Sequence, residues 1–185
     1  MTPIQALSVS KPILYIYDGQ NMEEVTMKIR IINKGNRNQL ICKRHDETTE
    51  MVNLGPDLPF HDIAHFVVEQ QLNLQRGFYG NINSGYTVKQ LSDKEIIKTL
   101  PIESVVSEIM TRALQSLSTG ACSISQFKDL ITEEFSIWSI NYSVTLYEEE
   151  IRKMLTTYQN LVGQWDQLKE GDSLDLELDI ANNAH

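Results

Sequence analysis

Residues 173–180 place the hardest constraint on how this chain can fold. Leu174, Leu176, Leu178 and Ile180 alternate there with Asp175, Glu177 and Asp179. A period of two means a strand with one apolar face and one wet, acidic face. The preceding stretch, from about residue 60 to 168, reads as helix, so the strand has no strand neighbour in its own half. Its backbone donors and acceptors need partners. The chain must therefore carry it back to strands near the N-terminus, where Lys28, Arg30, Lys43 or Arg44 could face its acids across the ladder.

The N-terminal third supplies such strands. Pro12–Tyr17 (PILYIY) is an apolar run followed by the turn Asp18-Gly19-Gln20-Asn21. Val25, Met27, Ile29 and Ile31 then alternate with Glu24, Thr26, Lys28 and Arg30. Gln39–Arg44 and Thr48–Leu54 follow, separated by the polar turns Asn33–Asn36 and His45–Glu47. Short strands joined by tight polar turns predict an antiparallel meander.

After Gly55–Pro59 the period changes to that of a helix. Phe60, Ile63, Ala64, Val67 and Leu74 share one face, and Arg76-Gly77 is the expected stop. Gly77-Phe78-Tyr79-Gly80 reads as a tight packed turn or, alternatively, as a pocket wall. Asp93–Leu100 is a short piece ended by Pro101, and Val105 to Leu117 forms a helix closed by Gly120. Ser123–Gln126 and Thr145–Glu148 have capping-box spacing. They predict two more helices, the second running from Tyr147 to Leu168. The expectation is one α+β domain over residues 1–185. It comprises a strand-rich part (12–54), a helical part (60–168) and a C-terminal strand (173–180), giving an antiparallel sheet of four to five strands packed against about four helices.

Composition narrows the function classes. Sixteen Lys+Arg stand against 25 Asp+Glu, a formal charge of −9. Lys28, Arg30, Lys34, Arg37, Lys43 and Arg44 form the best basic cluster, but Asp46, Glu47 and Glu50 dilute it. This argues against nucleic acid as a partner. No window approaches the ~20 apolar residues of a membrane span. Met1–Pro12 has neither the basic nor the apolar region of a signal peptide. Cys42 and Cys122 form no CxxC and read as buried reduced thiols. A cytoplasmic location is expected.

One helix can carry chemistry. His61, His65 and Glu69 fall at about 100°, 140° and 180° from Phe60 on a helical wheel, stacked along one side. Two imidazoles one turn apart can reach a single ion. A carboxylate one turn further can coordinate it or orient an imidazole. Such donors suit Zn, Ni or Fe. Asp62 stands where HExxH has Glu, so it is read as an outer-shell group rather than a general base. One helix cannot complete a coordination sphere. Any further ligand must come from elsewhere, with His45, Asp46, Cys42, Glu133 and Glu134 as candidates. The competing reading is packing alone. In that case His61 donates to a loop carbonyl, His65 bonds to backbone, Asp62 complements the helix dipole and Glu69 is solvated.

Leu58–Glu69, followed by Leu72–Gly80, resembles a group of small bacterial proteins of unknown function. Those proteins share an HDxxHxxVE helix, an LGL segment and a GFxG turn. Trp165 and Gly171–Leu174 are similar to the close of those chains. Asn73 departs from their usual Gly, and Tyr79 from their frequent Trp. The resemblance implies a bacterial protein and brings no activity with it.

No GxSxG elbow, GxGxxG or Walker A pattern occurs. The His61-Asp62 pair alone does not make an HD phosphohydrolase, whose all-helical core this strand-rich start contradicts. The leading expectation is thus a soluble protein with a binding or interaction role toward a protein or small molecule. The sharper alternative is a metal-binding protein or metal-dependent hydrolase built on His61 and His65. Homodimerisation through the Tyr147–Leu168 helix would show as an apolar stripe left bare.

Overall fold

In the computed structural model, which describes residues 24–144 and 146–181, the C-terminal strand does return to the N-terminal sheet. The sheet comprises β1 (Glu24–Ile32), β2 (Asn38–Lys43), β3 (Thr49–Leu54) and β4 (Ser173–Ala181), in the order β3-β2-β1-β4. All three pairings are antiparallel. The strand expected at Pro12–Tyr17 lies outside the described residues.

Register explains the alternation in the sequence. Lys28 lies opposite Glu177, and Arg30 opposite Asp175. Arg30 Nε donates to Asp175 Oδ1 at 2.5 Å. These pairs stand on the wet face of the sheet. Met27, Ile29, Ile31, Leu40, Cys42, Leu174, Leu176, Leu178 and Ile180 are buried beneath it. Of the expected basic cluster, Lys28, Arg30 and Lys43 stay together on the wet face, with Lys28 opposite Lys43, and acids are interleaved among them. Lys43 pairs with Glu47, and Arg44 turns inward to donate to the Ile82 carbonyl at 2.6 Å.

The helices pack against the apolar face. They are α1 (Leu58–Leu72), α2 (Phe78–Asn83), α3 (Val88–Leu91), α4 (Lys94–Ile97), α5 (Ile102–Ser118), α6 (Ile124–Ile137) and α7 (Glu148–Asp166). The α1 helix is the central element, with every residue from Asp62 to Glu69 buried. It contacts α5, α7 and the sheet. Its end comes before the expected Gly77. Asn73 takes the left-handed conformation at φ 51°, and the Leu74 N–H closes on the Glu69 carbonyl at 2.9 Å. Asparagine tolerates this conformation because its short polar side chain bonds locally.

The Ser123–Gln126 box caps α6 as its spacing implies, with the Gln126 N–H donating to Ser123 Oγ at 3.3 Å. The last helix starts two residues later than the Thr145 box suggests. Glu150 reaches back to the Tyr147 N–H at 2.8 Å, and Thr145 lies outside the described residues. On α7 the stripe Ile151, Met154, Tyr158 and Trp165 is buried against the domain, so these side chains are not the bare stripe of a dimer face. The large exposed apolar side chains include Met51, Ile137 and Trp138 away from α7, and Tyr147 at its N-terminus.

The inward and outward faces of β1 differ in what they contribute. Truncating Ile29, which is 1% exposed, removes core packing. The Ile29→Ala variant is expected to lose about 2–5 kcal/mol. The exposed Arg30 pair is worth less than about 1 kcal/mol, so Arg30→Ala should barely shift the transition. Urea unfolding midpoints of the two variants check this order.

Candidate metal centre

The site lies where α1 crosses α5. His61 and His65 stand one turn apart on α1, and both Nε2 atoms turn toward α5. They are 3.2 Å apart. Glu108 of α5 brings Oε2 to 3.5 Å from His61 Nε2 and 3.3 Å from His65 Nε2. These donor atoms form the one His/Cys/Asp/Glu group among the described residues with the spacing of a metal site. The corners of a tetrahedron around an ion with bonds of ~2.0–2.1 Å are about 3.3–3.4 Å apart, whereas adjacent octahedral corners are about 2.8–3.0 Å apart. The observed separations match the tetrahedral set.

The far side of each ring is tied down. His61 Nδ1 faces Gln115 Oε1 at 3.1 Å. His65 Nδ1 faces Ser107 Oγ at 3.0 Å, and that hydroxyl donates to Glu69 Oε1 at 2.8 Å. An amide oxygen accepts, and so does a hydroxyl that has given away its proton, which favours the hydrogen on each Nδ1; the Thr111 hydroxyl, 3.3 Å from His65 Nδ1, is a further partner there. Both Nε2 atoms then present lone pairs to one another and to a carboxylate. Three electron-rich atoms at such distances require a cation between them, either a proton or a metal ion.

In the metal-free protein the cation is a proton. Burial would lower the His65 pKa, but hydrogen bonds to Glu108 and Glu69, together with their charges, outweigh it and raise the pKa to about 9. Bonds to His61 and His65 hold the Glu108 carboxyl well below its usual range. Phe78 stacks on the His65 ring, with centroids 5.0 Å apart and planes at 29°. Exposure falls from Glu108 (46%) through His61 (31%) to His65 (5%), so the cluster is open to solvent on one side only.

Glu69 does not join the convergent Nε2 atoms. Its carboxylate is buried and faces the start of α2. It accepts from the Phe78, Tyr79 and Gly80 N–H groups at 2.6, 3.0 and 3.4 Å. It also lies 3.4 Å from His65 Nδ1, on the far side of that ring. It therefore lies behind the His65 ring, on the Nδ1 side, and not among the convergent Nε2 atoms where the sequence spacing places it as a candidate ligand.

Asp62 is buried with Oδ2 unpartnered, and burial raises its pKa to about 7 against the pull of His65 and His61. Its carbonyl accepts from the Tyr79 hydroxyl at 3.1 Å. The other candidate ligands lie apart. His45 pairs with Asn83, Asp46 with Thr48, and Glu134 with Arg112 and Trp138. Glu133 is exposed on α6. Cys42 is buried, which pushes its thiol pKa far up.

Glu108, Ser107 and Gln115 were not visible from the α1 pattern. A faint signal exists on α5, where Ser107 and Thr111 put hydroxyls one turn apart among buried apolar positions. The Gly77–Gly80 segment opens a short helix rather than an irregular turn. A Cβ at Gly77 would collide with the Glu69 carboxylate, and one at Gly80 with the Gln75 carbonyl. Compared with protein-family models, curated proteins and solved structures, the chain matches none.

Two outcomes follow from this geometry. All of the atoms nearest a Cβ at Gly77 belong to Glu69. Gly77→Ala should therefore cost at least about 1–3 kcal/mol, and much less in a Glu69→Ala background. A double-mutant cycle by chemical denaturation reads the coupling, and additive effects would contradict the contact. The second outcome concerns pH. His65 stabilises the metal-free fold fully below its ordinary 6.5, and that contribution is lost as pH rises through about 9. Asp62 acts in the same direction, favouring the fold below 3.8 and losing that effect through about 7. The Tm of chelator-treated protein should thus fall from about pH 4, as the Asp62 contribution goes, to about pH 9, where that of His65 is lost. His65→Gln should flatten the upper part of that fall.

Proposed function

We propose that this chain binds one divalent metal ion, zinc by preference, through His61 Nε2, His65 Nε2 and Glu108. The supporting observation is the convergence of three lone-pair donors at tetrahedral separations, with both Nδ1 atoms already committed to other partners. The imidazoles converge on side-chain partners rather than bonding to backbone or pointing apart, which supports this reading over packing alone.

The site's chemistry follows from its donor set. Two neutral imidazoles and one carboxylate leave a divalent ion with net positive charge and an open fourth position, the arrangement of catalytic rather than structural zinc sites. A bound ion there would supply a Lewis acid able to polarise an oxygen or lower the pKa of water. A metal-dependent hydrolase is accordingly the enzyme class this reading favours. The residues of the chain have separate tasks. Gln115 and Ser107 fix the two ring orientations, Glu69 holds Ser107, and Phe78 covers one face of His65. Outer partners of this kind raise ligand basicity and hold geometry.

Metal must displace the proton that His65 carries near neutral pH, so apparent affinity should strengthen about tenfold per pH unit up to about pH 9. Elemental mass spectrometry of chelated and reloaded protein is expected to show one equivalent of zinc. The His61→Ala/His65→Ala double variant should retain none. Ser107→Ala should weaken zinc binding by about 10–100-fold, with Glu108→Gln weaker still. Zinc at a hundredfold excess over its Kd should stabilise the wild type by about 2.7 kcal/mol. Absence of uptake by the wild type across zinc, nickel and iron(II) would end this reading.

A further inference from the structure

The open coordination position has a neighbour that narrows what can occupy it. Arg112 lies one turn beyond Glu108 on α5, with half of its side chain exposed. Its Nε is 3.5 Å from Glu108 Oε1, the oxygen directed away from the imidazoles. Its Nη2 is 3.5 Å from Glu134 Oε2 on α6. Both distances exceed the 2.7–2.9 Å of a tight charge-assisted bond. Nη1 has no partner among the described residues. The guanidinium is thus held beside the cluster with donors to spare.

Resting on the metal reading above, we propose that the fourth position takes an oxyanion of a small molecule, a carboxylate or a phosphate monoester. One oxygen sits on the ion and another on the Arg112 guanidinium. Three observations carry this assignment. Among the described residues His, Cys, Asp and Glu supply three donors, which leaves one tetrahedral corner that none of them fills. The cluster opens to solvent on the side of Glu108 and His61, the two more exposed members. Arg112 stands next to that opening and offers the planar fork that matches carboxylate and phosphate.

Charge points the same way. A divalent ion over one carboxylate keeps a net positive charge, and Arg112 adds a second. Around them the chain is acidic, at −9 overall. The opening is therefore a local positive spot on a negative protein. It would favour a small anion that can approach closely over a large polyanion that must also meet the acidic surroundings. Phe78, stacked on His65, lines the neighbourhood with an apolar ring. Glu134 competes for the same guanidinium and tempers its hold on a ligand.

The test uses the full chain, stripped with chelator and reloaded with cobalt(II), whose visible bands report the coordination shell. Inorganic phosphate, phenyl phosphate and acetate are titrated separately, with chloride as a control. The wild type is expected to give saturable band shifts with an oxyanion and none with chloride at equal ionic strength. Arg112→Ala should keep its cobalt and lose at least tenfold in oxyanion affinity. Glu134→Gln should gain affinity, a change of sign that a merely structural role for these residues would not produce. Tighter phosphates than acetate would name a phosphate ester as the ligand class, and the reverse order a carboxylate. Cobalt bound with bands indifferent to all three anions would overturn this inference and leave the metal site standing. Equal anion affinity in the wild type and Arg112→Ala would also overturn it. Failure to bind cobalt at all would overturn both readings.

Discussion

The buried Glu69 carboxylate is the contact on which the rest of this site depends. It sits at the end of α1 with no exposed surface, a position that an ionised group tolerates only when its lone pairs are fully engaged. Three backbone N–H groups at the start of α2 and the Ser107 hydroxyl of α5 provide that engagement. One side chain thereby fixes three helices against each other. The N-terminal N–H groups of α2 have no partners within the helix, so the anion satisfies donors that would otherwise be stranded. Glycine at position 77 is a consequence, because any side chain there would occupy the space of the carboxylate. Asn81, fully buried, reinforces the same corner by donating to the Arg76 and Gly77 carbonyls and to Ser104 of α5.

From that anchor the geometry of the imidazoles follows stepwise. Ser107 gives its proton to Glu69 and so can only accept from His65. The His65 ring is then fixed in tautomer and direction, with Nε2 toward the gap between α1 and α5. His61, one turn nearer the helix start, meets Gln115 instead and presents the same nitrogen to the same gap. The two rings lie nearly perpendicular, at 89°, which brings the nitrogens together without stacking the rings. The strain of facing lone pairs is relieved in the metal-free protein by the proton that His65 retains. In the proposed metal site a bound ion would take the place of that proton, since both would sit among the same three donor atoms.

Much of this could be read from the chain, and the part that could not has a definite cause. Strict alternation in residues 173–180 predicted β4, and its lack of local partners predicted a place in the N-terminal sheet, where its neighbour proves to be β1. Both follow from backbone hydrogen bonding and a period of two. The spacing of His61, His65 and Glu69 put three functional groups on one side of α1, because helical periodicity is local. What it could not give was Glu108. That residue comes from a helix 43 positions beyond His65, and which face of α5 meets α1 is decided by packing of the whole core. The expected end of α1 lies near Leu74 and the helix ends at Leu72; that Asn73 rather than Gly77 makes the turn was not legible for a related reason. Arg76-Gly77 is a good stop by residue type, yet the glycine serves the Glu69 carboxylate, while asparagine adopts the left-handed turn. A small residue in a sequence signals either a backbone conformation or a close approach, and the sequence does not say which.

The two glutamates illustrate how burial, rather than identity, assigns a role. Glu69 has the more suggestive position in sequence, in line with both histidines. Its location is too deep and its oxygens too fully engaged for it to serve a bound ion. Glu108 is half exposed and contacts the two imidazoles and Arg112, which is why the proposed ligand role falls to it. In the proposed metal site a ligand would have to exchange its partners on binding an ion, whereas an anchor would not. Placing the anchor in the interior and the ligand at the rim lets one helix crossing do both. The ring of His65 is then positioned from beneath by a group that does not move, and completed from above by one that can.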